Sequence, residues 1–447
     1  MALIDKILSK LGASETKIKV FRNLYWAVLG KVVTLLGGLF VGILVARYLG
    51  PEQYGLMSYV VSYVSLFQVF ATFGMDNIEI REESKCPVEK DKVLGTAFFL
   101  KVIFAIITII LICLTACFFE ADNFTKGLIA LYSLSVIMNS FSVIRNYFTS
   151  IIWNEYIVKT EIVRTLLGAF LKVLLLLLKA PLEWFVGAIL FDTILIAMGY
   201  FVSYQKKIDS VLKWYFDKNL AIFLLKESFP LLLSGAAIVI YQKIDQIMIG
   251  NMIDKVSVGY YAVAGAFVNV IGFIPVILSQ TVTPILVRVY SENRDEYRKK
   301  SHLFMNVSTW IIIIVCIFVC LISYPIVRYT YGLQYLIAVP ILQITVFKEI
   351  GYAQAQFTGA MIISEGIQRL VALRNLIGCV VSIVLNIVFI PLFGIIGAAI
   401  SSVITAIFTG YLSHAIIPIY RNVFRVQSRS ILFGWKDLVN IKSLLNN

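Results

Sequence analysis

About a dozen apolar runs of ~20–25 residues follow one another along the 447 residues, each long enough to cross a bilayer as a helix. They lie near 24–46, 54–76, 93–118, 127–148, 162–179, 184–204, 229–253, 258–284, 303–324, 338–363, 371–390 and 395–418. A mean hydropathy of +0.87 and a charged share of only 15% exclude a soluble protein. The expected fold is therefore an all-α polytopic membrane protein with about 12 transmembrane helices. The connections between runs are short, and none could house a soluble catalytic domain. Residues 1–23 lack a signal peptide's order of basic end, apolar core and cleavage site; they read as a basic, partly amphipathic helix on the membrane surface.

Lysine and arginine set the orientation, because cytoplasmic loops carry an excess of them. With the N-terminus inside, the inside segments hold 29, the outside connections 5 and the spans 5 of the 39. Both termini are then cytoplasmic. The longest inside connection, residues 205–228, divides six spans from six, and its Lys, Trp and Phe content suggests an amphipathic helix on the inner leaflet. The expected organisation is an N-terminal lobe over 1–204, this linker, a C-terminal lobe over 229–420 and a cytoplasmic tail over 421–447. The segments ARYLGPEQYGLMSY and GNMIDKVSVGYYAV echo each other, with Gly55 falling on Gly259 after a shift of 204 residues. Together with the central linker this suggests two parallel six-helix repeats, an arrangement that places a substrate site between the halves.

The span from Phe229 to Ile253 carries Gln242, Lys243, Asp245 and Gln246 well inside it. Gln242, Gln246 and Gly235 fall close to one line down the helix, with Asp245 and Lys243 on either side. Lys243 and Asp245 are two residues apart and do not face each other, so each needs a partner elsewhere. A charge at mid-membrane costs ~2.5–3.5 kcal/mol on insertion scales and normally faces a bundle interior or a wet cavity. A structural ion pair between helices and a polar pathway are the two readings. Across the chain five intramembrane lysines, Lys31, Lys101, Lys172, Lys243 and Lys348, stand against three deep acids, Asp192, Asp245 and Glu349. Lys31 and Lys101 lie near enough to an inside loop for their stems to snorkel part of the way. If the helices surround one cavity, it is net positive and attracts an anion. The lysines, with Gln242 and Gln246, are the candidate substrate-binding set; Asp192, Asp245 and Glu349 are candidates for proton or sodium coupling or for structural pairing.

Other chemistry is not supported by the sequence. Cys113/Cys117 and Cys316/Cys320 are i, i+4 pairs inside apolar runs and read as small packing residues. His302 and His414 are the only histidines, so no metal site is expected. No GxxxxGK[ST] motif appears, so the chain has no P-loop of its own. The net charge of +13 points to orientation and anionic lipid rather than nucleic acid. Gly30, Gly37, Gly38 and Gly42 allow close helix packing or bending in the first span. Pro275 is expected to kink the eighth, as part of a gate or of a static bundle.

Three segments carry a family resemblance: ARYLGPEQYG; P-x-x-L-S through KIDQIMIG to VGYYAVA; and LNIVFIPLFGIIGAAISSVIT, with Asn386, Pro391, Gly394, Gly397 and Ala398. In this order, on a twelve-span layout, the chain resembles the Wzx-type polysaccharide-repeat flippases of the multidrug/oligosaccharidyl-lipid/polysaccharide exporter superfamily. The resemblance implies two six-helix lobes around a V-shaped cavity with a basic lumen, working by alternating access. It implies a flippase, not an enzyme, that moves an undecaprenyl-diphosphate-type lipid-linked oligosaccharide from the inner to the outer leaflet of the bacterial cytoplasmic membrane. The pathway would be assembly of O-antigen (lipopolysaccharide), capsule or a related polysaccharide. Membrane lipids and polysaccharide polymerase machinery are the partners in this reading, with no resident cofactor. The rivals are a drug or cation exporter of the same superfamily, which the lysine excess disfavours, and a polysaccharide polymerase or ligase, which would tend to carry a long external loop.

Overall fold

The computed structural model describes residues 15–85, 87–367 and 370–439, and among these the chain is helical with no strand. Most of the expected surface helix over residues 1–23 lies outside the described residues, as does the end of the tail. Contacts divide the chain into two compact units. The first comprises Met1–Val45 and Phe67–Leu232, the second Ala46–Leu66 and Leu233–Asn447.

The first unit is built from α1 (Glu15–Thr72), α2 (Asp76–Lys85), α3 (Lys90–Phe119), α4 (Asn123–Ser133), α5 (Ser142–Ser150), α6 (Asn154–Leu177) and α7 (Leu182–Lys207). The middle of α1 passes instead into the second unit. Its two limbs are the first two expected spans, meeting at Gly50, whose φ of 72° takes the backbone out of the helix. α4 starts where Asp122 accepts the Phe124 and Thr125 N–H groups, satisfying donors that the first turn leaves open. The core of the unit packs Met75, Leu94, Val143, Phe148 and Tyr204 together.

The connection after α7 differs from the expected amphipathic helix. It contains one 3-10 turn, Val211–Lys213, and α8 (Lys218–Met252) begins at once. Trp214 turns inward rather than onto lipid: its Nε1 donates to the Tyr204 hydroxyl at 3.1 Å and its ring meets Phe98 edge-on at 5.5 Å. Asp209 pins the turn, and the Lys213 ammonium and the Ser210 N–H hold its carboxyl down at about 2.

The second unit continues from α8 through α9 (Lys255–Ile271), α10 (Phe273–Glu292), α11 (Arg294–Thr330), α12 (Ala338–Thr345), α13 (Lys348–Glu365), α14 (Val371–Phe393), α15 (Ile395–Ile407) and α16 (Arg421–Phe433). Three of its spans are interrupted. The eighth is interrupted at Gly272, three residues before Pro275, whose missing N–H removes the bond back to the Ile271 carbonyl, so the expected kink falls there. The tenth breaks at Val346–Phe347, where Phe347 N–H bonds back to Ile344 in a tighter turn. The twelfth passes through a π-helical turn, Phe408–Leu412.

Nine stretches of the described residues are long and apolar enough to cross a membrane. One of them, Gly30–Lys85, holds two expected spans. The expected spans around 162–179 and 338–363 are largely helical but are not among the nine: the helix of the first ends at Leu177 and carries Glu161, Arg164 and Lys172, and the second is broken in its middle.

Ala46–Leu66 groups with the second unit because of close backbone contact. A Cβ on Gly55 would overlap the Lys255 carbonyl, and one on Gly259 would overlap the Pro51 carbonyl and lie 3.3 Å from Gly55 Cα. The two glycines therefore pack directly on each other. Around them Tyr335 OH donates to Ala46 O at 2.8 Å, Tyr59 OH donates to Asn251 Oδ1 at 2.8 Å, and the Lys255 ammonium lies 3.0 Å from the Tyr59 ring centroid. Gly55→Ala should lower stability by about 1–3 kcal/mol through overpacking. A thermal melt in detergent checks this, and an unchanged midpoint would contradict the contact.

Candidate functional site

The intramembrane charges of the first unit are mostly neutralised inside it. Lys101 on α3 is 1% exposed. Its Nζ donates to Asp76 Oδ1 at 2.7 Å, Glu79 Oε2 at 2.9 Å and Ser142 Oγ at 3.0 Å. Asn146 Nδ2 on α5 completes the cluster by donating to the same two carboxylate oxygens, at 2.9 and 2.6 Å. The expectation of a snorkelling or substrate-binding Lys101 is thus corrected: it is sealed from water and lipid by two acids. Glu79 and Glu83, both buried on α2, were missed as deep acids because their stretch reads as a polar connection between spans. The i, i+3 spacing of Asp76 and Glu79, which sets both on one helix face, is the signal that could have found them.

Lys172 on α6 pairs with Asp192 on α7. One turn before the lysine, Gly168 leaves the space that the Asp192 carboxylate fills, and a Cβ there would collide with Oδ1. Lys31 is exposed on α1.

In the second unit, α8 presents Gln242 exposed, Lys243 and Gln246 half-buried and Asp245 buried. Asp245 takes neither lysine as a hydrogen-bonding partner. Its Oδ2 accepts from Tyr261 OH and its Oδ1 from Asn386 Nδ2, each at 2.7 Å. Gln246 accepts from Ser62 Oγ. Lys348 is the first residue of α13, just past the break in the tenth span, and is half-buried. It is an electrostatic neighbour of Lys243, Asp245 and Glu349. Glu349 is buried, with its carboxylate against Gly272 at the other helix break. Among the described residues neither Lys243 nor Lys348 makes an ion pair. The Lys348 ammonium thus has a like charge, Lys243, and two buried carboxylates, Asp245 and Glu349, as neighbours within this unit. Broken helices at membrane depth are tolerated where they are buried in protein or line a water-filled cavity.

A further buried cation escaped the sequence reading, which placed Arg374 in an inside connection. Its Nη1 meets His414 Nε2 at 3.1 Å, and His414 Nδ1 meets Gln427 Oε1 at 2.9 Å. Among the described residues no group of three His, Cys, Asp or Glu is placed to hold a metal ion.

Lys101→Met would leave the buried Glu79 carboxylate and the part-exposed Asp76 without their cation, a loss of about 3–5 kcal/mol. The expected result is little folded protein in detergent by size-exclusion chromatography, with partial recovery in Lys101→Met/Glu79→Gln. Wild-type yield and melting temperature for the single variant would contradict a structural cluster.

The comparisons with known proteins fit this architecture. Among solved structures, the lipid II flippase MurJ in an inward closed conformation superposes with a TM-score of 0.65 at 19% identity, over 92% of this chain and 93% of that one. The inward-facing conformation of a multidrug resistance MATE family transporter of the MOP superfamily gives 0.65 at 16%, over 92% and 96%. The MATE multidrug transporter DinF-BH gives 0.66 at 17%, over 92% and 97%. At such identities the likeness is one of fold. No curated protein sequence matches the chain. The family model described as "Polysaccharide biosynthesis protein" matches residues 44–340, about two thirds of the chain. The chain is an all-α, multi-pass membrane protein with the fold of the MOP superfamily, and it belongs to the polysaccharide biosynthesis protein family.

Proposed function

We propose that this protein is a flippase for a polyprenyl-diphosphate-linked oligosaccharide, carrying the headgroup from the inner to the outer leaflet of the bacterial cytoplasmic membrane for O-antigen or capsule assembly. The observation that carries the reading is the pair Lys243 and Lys348, half-buried, mutually adjacent in electrostatic terms and without an ion pair among the described residues. A diphosphate headgroup cannot enter hydrocarbon without compensation for its lost hydration. Ammonium groups held at membrane depth supply that compensation through charge-assisted hydrogen bonds. Gln242 and Gln246 extend the polar face for sugar hydroxyls, and Lys31 is the further candidate on the first unit. Lys172 is paired and is assigned a structural role, as is Lys101. Coupling to protons or sodium falls to Asp245 and Glu349, the acids without a hydrogen-bonded lysine. The charge bias supports cytoplasmic termini. A cation exporter shares the fold, but two lysines without ion pairs repel its cargo.

Lys243→Ala and Lys348→Ala should each insert at normal abundance and abolish surface polysaccharide. Arg at either site should retain more export than Gln, because it keeps the charge while changing its shape. Immunoblots of membranes and of surface polysaccharide, read together, check this. Wild-type export from both Ala variants at normal abundance would refute the cationic headgroup site.

A further inference from the structure

A second convergence of cations lies at the end of the second unit that the charge bias assigns to the cytoplasm. A cavity of about 740 Å³ opens there between the first turns of α11, the end of α13 and the tail helix α16. Arg294 and Arg298 reach it from α11, and Arg425 and Arg429 from α16. A single acid lines it, Glu365, whose Oε1 accepts from Tyr297 OH at 2.9 Å. Each arginine pair is spaced i, i+4, which sets two like charges on one helix face; all four are exposed, so water screens a repulsion that a bound anion would relieve further. Compensation within the chain is slight. Arg425 and Arg429 make no ion pair among the described residues, Arg298 reaches only Asp295 at 3.8 Å, and Arg294 lies 3.3 Å from the centroid of the Tyr290 ring.

α11 is fixed to α16 and to the residues that follow it. Trp310 Nε1 donates to Ser430 O at 3.0 Å, Ser430 Oγ donates to Met305 O at 2.9 Å, and Asn306 Nδ2 donates to Asp437 Oδ2 at 2.6 Å. The positive-inside rule accounts for the number of arginines in this region. It requires neither that four of them line one cavity nor that the tail be anchored to bring two of them there.

We propose that this cavity binds a ligand bearing two or more phosphate charges, either a phosphate-ester lipid headgroup or a soluble polyphosphate. Arginine forks match phosphate oxygens bidentately. A single carboxylate would leave most of the four guanidiniums uncompensated. The site is separate from Lys243 and Lys348, and it stands whether or not the flippase reading holds.

The test uses the full chain in phosphatidylcholine nanodiscs at low salt, with inorganic pyrophosphate titrated by calorimetry. A second arm uses nanodiscs containing cardiolipin, with retained lipid measured by mass spectrometry after purification. A soluble source predicts saturable pyrophosphate binding that weakens at least ~10-fold in Arg425→Ala/Arg429→Ala, as expected for lost charge-assisted bonds. A lipid source predicts cardiolipin enrichment that the double variant loses. Arg288→Ala, an exposed arginine beside Glu292 and off the cavity wall, should match wild type in both arms. Without ligand, the double variant should melt at or above the wild-type temperature, because a repulsion has been removed. Failure of both arms to separate the double variant from wild type and Arg288→Ala would overturn the proposal. So would a lower ligand-free melting temperature, which would make the arginines structural.

Discussion

A charge inside an apolar span must find a partner or water, and the distribution of partners organises this protein. The cost is a few kcal/mol for each unpaired charge, comparable to a large share of a domain's net stability. In the first unit the cost is offset locally: Lys101 by Asp76 and Glu79, and Lys172 by Asp192. In the second unit Asp245 takes neutral donors instead. Asp245 is satisfied by a tyrosine and an asparagine, and among the described residues Lys243 and Lys348 make no ion pair.

The backbone of the second unit is irregular around those residues. Its eighth span breaks at Gly272, against which Glu349 lies, and its tenth breaks immediately before Lys348. At the second break the Val346 carbonyl accepts from Cys316 Sγ at 3.3 Å, so the interruption is partly satisfied within the protein. By contrast, the Gly55–Gly259 contact brings two helix backbones as close as the absence of side chains allows.

Much of this was legible in the sequence. The runs of apolar residues foretold helices, and the five lysines stood out by their depth. The echo between Gly55 and Gly259 marked two residues that prove to touch. The pairings were not legible, because the partners are distant along the chain. Lys101 meets Glu79 22 residues away, and Asn146 meets the same carboxylate over 67. Asp76 and Glu79 sit on a helix polar enough to look like a loop. Hydropathy also misjudged Trp214, whose amphipathic neighbourhood suggested a lipid surface although its N–H had a buried tyrosine to bond.

On the proposed reading Lys172 and Asp192 only neutralise each other within the protein, whereas Lys243 serves the headgroup. Translocation of a labelled polyprenyl-diphosphate oligosaccharide in proteoliposomes tests it most directly, comparing Lys172→Leu/Asp192→Leu with Lys243→Leu. Replacing a buried ion pair by apolar residues is often neutral, so the double variant should translocate near the wild-type rate. Lys243→Leu should lose at least about tenfold, one charge-assisted contact's worth. A Lys243→Leu protein that translocates at the wild-type rate, beside a double variant that folds but does not translocate, would contradict the account.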